Sequence, residues 1–244
     1  MKKQFKREMK EDEFLTGLEK TLVWMAAHKT QLRNVTLAIA AVLVAAAALF
    51  HWQGSRDEAA REAYLRAEQV YHAPLRADIS PGTPDPAGPV FDSAEERYEK
   101  AKTAFDGFER RYPRHALAPR ARLYAGLSRI ELGEREEAIQ LLSEVASRSA
   151  REGIEPSQAL FALGSLYGTE GEWDKAIETY QRLLDDSGSA IPPEEVLMAL
   201  GSAFEGARRY LDARGAYERL SRGFPASVYA AAARQRAEYL EFAG

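Results

Sequence analysis

The sequence predicts an all-α protein in which a single transmembrane helix precedes an array of helical repeats. Three observations predict this fold class. Residues 35–54 contain no Asp, Glu, Lys or Arg, apolar residues recur at helical spacing elsewhere, and one pattern of small and aromatic residues returns after 38 and then 37 residues. With 45% apolar and 29% charged residues, the composition is that of a globular protein and excludes a wholly disordered chain.

Residues 1–34 form a basic segment with eight Lys or Arg and five Asp or Glu residues. Within it, apolar residues recur at spacings of four, four and three, which predicts an amphipathic helix from about Glu13 to His28. The residues that set this spacing are Phe14, Leu18, Leu22 and Met25. The helix could lie along the inner leaflet, dock on a membrane partner, or simply lead into the next segment.

The uncharged segment 35–54 is predicted to be a membrane anchor. Its apolar part, from Val35 to Trp52, would span about 27 Å at about 1.5 Å per residue. The eight basic residues before it outnumber the three Arg residues in the twenty residues after it, so the positive-inside rule places residues 1–34 in the cytoplasm and exports 55–244.

Small residues at 45–48 could serve a signal peptidase, and a buried helix of a soluble protein would also be apolar. A signal peptide has a short basic region, whereas 34 residues, five of them acidic, precede this run. We therefore expect an uncleaved anchor, with cleavage as the alternative.

Residues 55–92 are expected to hold a first helix and a long loop. Residues 57–72 have helical composition, and we expect this helix to pair with a helix at 93–111. The intervening residues 73–92 are rich in Pro and Gly and are longer than loops in compact domains usually are. They form either a disordered segment or a contact arm.

Residues 93–244 carry the repeats. The middle copy has the pattern Leu163-Gly164, Tyr167, Gly171, Ala176, Tyr180 and Leu183. The following copy has Leu200-Gly201, Phe204, Arg208, Ala213, Tyr217 and Leu220, with Arg208 in place of the turn Gly. The preceding copy has Ala125-Gly126, Arg129, Gly133, Ala138, Leu142 and Val145, with Arg129 in the aromatic position. A half-unit comprises Tyr98, Ala101, Phe105 and Phe108, and Ser227–Phe242 is expected to form a capping helix.

This pattern resembles the tetratricopeptide repeat over residues 93–240. The resemblance implies a stack of helix-turn-helix units. The periods exceed the family's usual 34 residues, and the surplus falls at 149–156 and 187–193, between units, where the packed positions are unaffected.

The resemblance also implies where a partner binds, because one face of each first helix lines the concave groove in this family. The groove positions are Leu123 and Leu127, Phe161 and Ser165, and Met198 and Ser202. Leu123, Phe161 and Met198 would form an apolar stripe, for which a hydrophobic segment or amphipathic helix is the expected ligand. The alternative is that the stripe is covered by the chain itself, for example by residues 73–92, or belongs to the core.

One anchor, a short basic segment before it and an acidic repeat array after it also resemble the ancillary SecYEG translocon subunit family of bacterial inner membranes. This resemblance implies a single-pass protein with a periplasmic scaffold near the translocon, associated with a periplasmic chaperone or prolyl isomerase. The alternative is a cleaved, soluble periplasmic repeat protein that acts in cell-envelope assembly.

Signs of catalysis are missing from the sequence. Cys is absent, the four His residues are scattered, and the glycines at 164–171 lack the Lys of a phosphate-binding loop. A net charge of -4 does not suggest a nucleic-acid binder. We expect no enzyme activity, metal, cofactor, nucleic acid or small-molecule ligand, and protein partners instead. An enzyme or regulatory subunit whose site has no recognisable motif is the competing class.

Overall fold

The computed structural model describes residues 23–80, 82, 84, 86–148 and 153–243. In these ranges the protein is all-helical, as predicted, and β structure is limited to one isolated bridge between Leu75 and Phe91. The chain divides into two units, Met1–Glu58 and Ala59–Gly244. The helices are α1 (Lys29–Tyr71), α2 (Ala94–Arg111), α3 (Ala118–Glu131), α4 (Arg135–Ala146), α5 (Glu155–Thr169), α6 (Trp173–Asp185), α7 (Pro193–Gly206), α8 (Tyr210–Gly223) and α9 (Ala230–Ala243).

Helix α1 contains the uncharged segment. Its most apolar stretch has a mean hydropathy of 2.2 and no buried residue, which makes it a candidate membrane span in the described part of the chain. The predicted anchor and the predicted first helix form one helix here, because Gly54 does not interrupt it; a single helical Gly costs only about 1 kcal/mol. Most of the amphipathic helix predicted at 13–28 lies outside the described residues, and Val23–Ala27 are helical.

The first core cluster of the second unit joins the end of α1 to α2 and α3. Ala60, Tyr64 and Ala67 are buried there, and the Tyr64 ring lies 5.9 Å from that of Phe105. Ser93 is the N-cap of helix α2, and its hydroxyl accepts a hydrogen bond from the Glu96 amide at 3.1 Å. The loop ends between α1 and α2 are tied together, because Arg76 N donates to Phe91 O at 2.8 Å.

Inside each repeat, a Gly of the first helix faces a large side chain of the second. A Cβ placed on Gly126 would lie 2.8 Å from the Leu142 side chain. The same construction puts a Cβ of Gly164 at 2.6 Å from Tyr180, and one of Gly201 at 2.4 Å from Tyr217. These contacts explain why the pattern alternates small and large residues, since only Gly permits the two helices to approach so closely.

The turn inside each repeat uses one left-handed residue. Gly133 and Gly171 have φ values of 74° and 76°, and Arg208 occupies the same position at 59°. At the third of these turns, Arg209 N donates to Phe204 O at 2.8 Å, a bond that Glu172 N and Tyr167 O repeat at the second. Arg208 therefore adopts the conformation that Gly adopts elsewhere, at a steric cost that Gly avoids.

The C-terminal helix begins later than predicted. We expected it at Ser227, whereas α9 begins at Ala230. The Ser227 hydroxyl accepts a hydrogen bond from Tyr229 N at 3.3 Å, and this local bond favours a turn over a helix. Helix α9 buries Ala233, Ala237 and Leu240 against the array.

Candidate partner-binding groove

A groove of about 550 Å³ opens between α3 and α5. Its lining is mainly apolar, with a polar rim, and it comes from both helices and from the connection before α7. The apolar residues are Leu123, Tyr124, Leu127, Ile130, Phe161, Ala162, Leu166 and Ile191; the polar ones are Glu131, Gln158, Ser165 and Thr169. Glu131, Gln158, Ser165 and Thr169 are exposed. The groove can accept a row of apolar side chains from a partner, while the polar residues of its rim stay hydrated.

The structure brings together the predicted residues of the first two copies. Leu123, Leu127, Phe161 and Ser165 all line the groove. Leu123, however, is only 2% exposed and belongs to the main core cluster, so it contributes to the floor and offers almost no surface. Phe161 is half-buried, and its ring lies 5.6 Å from that of Tyr180.

The predicted residues of the third copy are not part of this groove. Met198 is half-buried against the main core, and Ser202 is exposed, but neither lines the space between α3 and α5. Beyond α5 the lining is supplied by Ile191, from the loop before α7. Ser157 anchors this loop, since its hydroxyl accepts a hydrogen bond from Ala190 N at 3.1 Å. The continuation of the apolar stripe to Met198 stays a prediction.

Several lining residues were missed by the sequence analysis. Ile130 lies three residues after Leu127, and Thr169 lies four after Ser165, so both continue a predicted helical face and could have been found by extending it. Ile191 had no such signal, because it is in a loop whose path depends on tertiary contacts.

Tyr124 connects the groove to the aromatic cluster of the first repeats. Its ring stacks on Phe105 at 5.3 Å with an interplanar angle of 14°, and lies 4.9 Å from the Tyr71 ring. Burial raises the pKa of the Tyr124 phenol, and the carboxylate of Glu68 adds to this effect. The hydroxyl is therefore protonated at neutral pH and can donate a hydrogen bond at the edge of the groove.

Among the described residues, no group of three or more His, Asp or Glu side chains is placed to hold a metal ion. Ion pairs join α3 to other helices, among them α2 and α5. Arg129, in the aromatic position of its repeat, donates to both carboxylate oxygens of Asp106, at 3.1 and 2.9 Å. Arg120 pairs with the buried Glu155 at 2.8 Å.

The family comparison decides the identity of this array. The model of the tetratricopeptide repeat-like domain matches residues 28–219. The chain belongs to the tetratricopeptide repeat-like family. No curated protein matches it.

Two solved structures are similar to this tetratricopeptide repeat-like protein. One is a tetratricopeptide repeat protein from Parabacteroides merdae ATCC 43184, with 19% identity and a TM-score of 0.49; the alignment covers 60% of this chain and 55% of that one. The other is the MamA RS-1 ArsTM double mutant, with 13% identity and a TM-score of 0.43, covering 61% of this chain and 87% of that one. The chain thus spans little more than half the length of the first of these.

Membership of the tetratricopeptide repeat-like family indicates a protein-interaction scaffold. The helical array is of the kind that buries a continuous core between neighbouring units and leaves an extended surface for other proteins.

Proposed function

We propose that this protein is a scaffold anchored in the bacterial inner membrane, with its repeat array in the periplasm. The groove between α3 and α5 binds an apolar segment or an amphipathic helix of a protein partner. The single observation that carries the proposal is the apolar groove with a polar rim on a repeat array of this family. Helix α1 supports the tether, and the excess of basic residues before it supports the orientation.

The scaffold acts beside the Sec translocon, as an accessory subunit that receives exported proteins or their chaperones. The architecture of one anchor and an acidic array supports this role, which rests on the resemblance to the ancillary SecYEG subunits. The other candidate is a soluble periplasmic repeat protein released by cleavage within the Ala-rich part of the anchor.

A photo-reactive amino acid at Ser165 tests the groove and its partner together. Ser165 is exposed and lines the groove, so light should link it to a bound protein in living cells. Ser202 is the matched control, because it is exposed at the equivalent position of the next repeat but lies outside the groove. A SecY, chaperone or exported-protein adduct at Ser165 and not at Ser202 is expected. Equal yields of adduct at both positions would contradict the proposal that the groove binds the partner.

Blocking the groove provides the complementary test. Ser165→Trp should fill the space between α3 and α5 without disturbing the core, because Ser165 points to solvent. We expect loss of the partner with Ser165→Trp and retention with Ser202→Trp. This pair is preferable to changing Phe161, whose contact with Tyr180 makes it part of the fold.

Topology and cleavage are tested with reporters at both ends. A reporter active only outside the cytoplasm should work when fused after Gly244, and an N-terminal tag should remain on the membrane-bound protein. A tag lost from a soluble product would favour the cleaved alternative. A cytoplasmic reporter active at the C-terminus would reverse the orientation.

A further inference from the structure

A second surface lies on α8, away from the groove residues. A cavity of about 470 Å³ is lined by α6, α7 and α8, with Leu184, Leu197, Leu200 and Phe204 among its apolar residues. Leu211, on its edge, is 81% exposed. We call Leu211, Asp212, Gly215 and Arg219 the α8 patch; all four line this cavity.

Gly215 is unexplained by packing within one chain. A Cβ placed on it would meet no atom within 4 Å, unlike those of Gly164 and Gly201. Gly inside a helix costs about 1 kcal/mol relative to Ala. At the equivalent positions of α4 and α6 the chain has Gln140 and Glu178, both exposed. A Gly at this position is useful where a second backbone approaches from outside.

The charges of the α8 patch are arranged for contact with an identical surface. Asp212 precedes Gly215 by three residues, about 4.5 Å along the axis, and Arg219 follows it by four, about 6 Å. At about 100° per residue both side chains leave the helix on the same side of Gly215. When two such helices cross antiparallel about a two-fold axis, each Asp212 faces the Arg219 of the other copy. Arg219 makes no ion pair within the described part of its own chain, whereas Asp212 pairs with Arg209 at 2.8 Å.

We propose that two copies of this chain associate through their α8 patches, with the helices antiparallel and crossing at Gly215. Two Asp212–Arg219 pairs lie on one side of the crossing, and on the other side Leu211 of each copy packs against α8 of its partner. The contact buries a leucine that is 81% exposed in one copy. The dimer presents two α3–α5 grooves, so a partner with two apolar segments would bind bivalently.

Disulfide formation tests the crossing, because the natural chain contains no Cys. Gly215→Cys would place two thiols at the centre of the proposed contact, within reach of a disulfide. Full-length protein in isolated membranes is treated with copper phenanthroline and resolved on a non-reducing gel. Gln140→Cys is the control, at the equivalent exposed position of α4. We expect a disulfide-linked dimer with Gly215→Cys in about tenfold excess over the control. Equal yields would overturn the proposal.

Charge reversal tests the pairing independently of any cysteine. Sedimentation of the full-length protein in detergent gives the dimer dissociation constant. Arg219→Asp should raise this constant about tenfold, and Asp212→Arg combined with Arg219→Asp should restore it, because both pairs are then reversed. Leu211→Asp should also dissociate the dimer without changing the helical content, since Leu211 is largely exposed. A monomeric parent, or a Leu211→Asp variant that associates as tightly as the parent, would refute the contact.

Discussion

Gly164 of α5 lies against the ring of Tyr180 of α6, so closely that a Cβ on Gly164 would be 2.6 Å from Cε1 of the ring. Gly164→Ala should therefore force the ring or the helix to move. We expect it to lower the free energy of unfolding by about 1–3 kcal/mol, despite the better helix propensity of Ala. Urea unfolding of the full-length protein in detergent, followed by circular dichroism, measures the change.

The control for Gly164→Ala is Gly107→Ala in α2. The nearest atom to a Cβ on Gly107 is 3.9 Å away, at the end of the Arg110 side chain. This substitution should raise stability by up to about 1 kcal/mol, because Ala favours the helix and meets no obstacle. If both substitutions changed the free energy of unfolding by the same amount in the same direction, the close approach of α5 and α6 would not be the cause of the loss in Gly164→Ala.

Arg208 tests the cost of a left-handed turn. Its φ of 59° matches the Gly133 and Gly171 turns, and a side chain is disfavoured there. Arg208→Gly should stabilise the protein by about 1 kcal/mol, as judged by the urea midpoint. The reciprocal change, Gly171→Arg, should destabilise it by about as much. A less stable Arg208→Gly variant would mean that contacts of the Arg side chain outweigh the backbone strain.

The repeat pattern predicted the helical array because each position in it has a local packing reason. Gly126, Gly164 and Gly201 must be small, and their partners must be large. The pattern also predicted where two helices meet, since residues four apart share a face. It did not predict that Arg129, in an aromatic position, would pair with Asp106, because the two residues are 23 positions apart in sequence and lie on different helices.

The groove was predicted less completely for a related reason. Leu127, Phe161 and Ser165 follow from the helical face of their own copies. The boundary of the groove depends on Ile191, whose loop is held by Ser157. The surplus residues between repeats could be located in the sequence, but their path could not, because loop paths are set by contacts with other parts of the chain.

The Arg129–Asp106 pair should contribute measurably to stability because it is shielded from water. The two side chains are 16% and 25% exposed and form two parallel hydrogen bonds. Asp106→Ala would leave the guanidinium with Glu134, at 3.7 Å, as its remaining acidic partner. We expect a loss of about 1–3 kcal/mol in the urea assay.

The exposed pair of Arg66 and Glu62 is the comparison for Asp106→Ala. These side chains are 73% and 74% exposed, so Glu62→Ala should change stability by less than about 0.5 kcal/mol. An Asp106→Ala variant no less stable than Glu62→Ala would show that burial does not strengthen the inner pair.

Tyr180 should make the fold sensitive to alkaline pH. Burial raises the pKa of its phenol from 10.0 to about 12, because the ionised form would lose its hydration inside the repeat. The folded state therefore holds the proton more tightly than the unfolded state. Stability is unaffected below about pH 9 and falls as pH rises towards 12, since the unfolded state releases its proton first. At pH 11 the expected loss from this group is about 1 kcal/mol.

Comparing the parent with Tyr180→Phe separates this effect from the titration of other groups. Phe keeps the ring that faces Gly164 and removes only the ionisable hydroxyl. The stability difference between the two proteins should be constant up to about pH 9 and then shift in favour of Tyr180→Phe by about 1 kcal/mol at pH 11. Urea midpoints measured at pH 8, 9, 10 and 11 give the curve. A difference that stays constant over the whole range would mean that the phenol ionises as readily in the folded protein as in the unfolded chain, and that the 164–180 contact admits water.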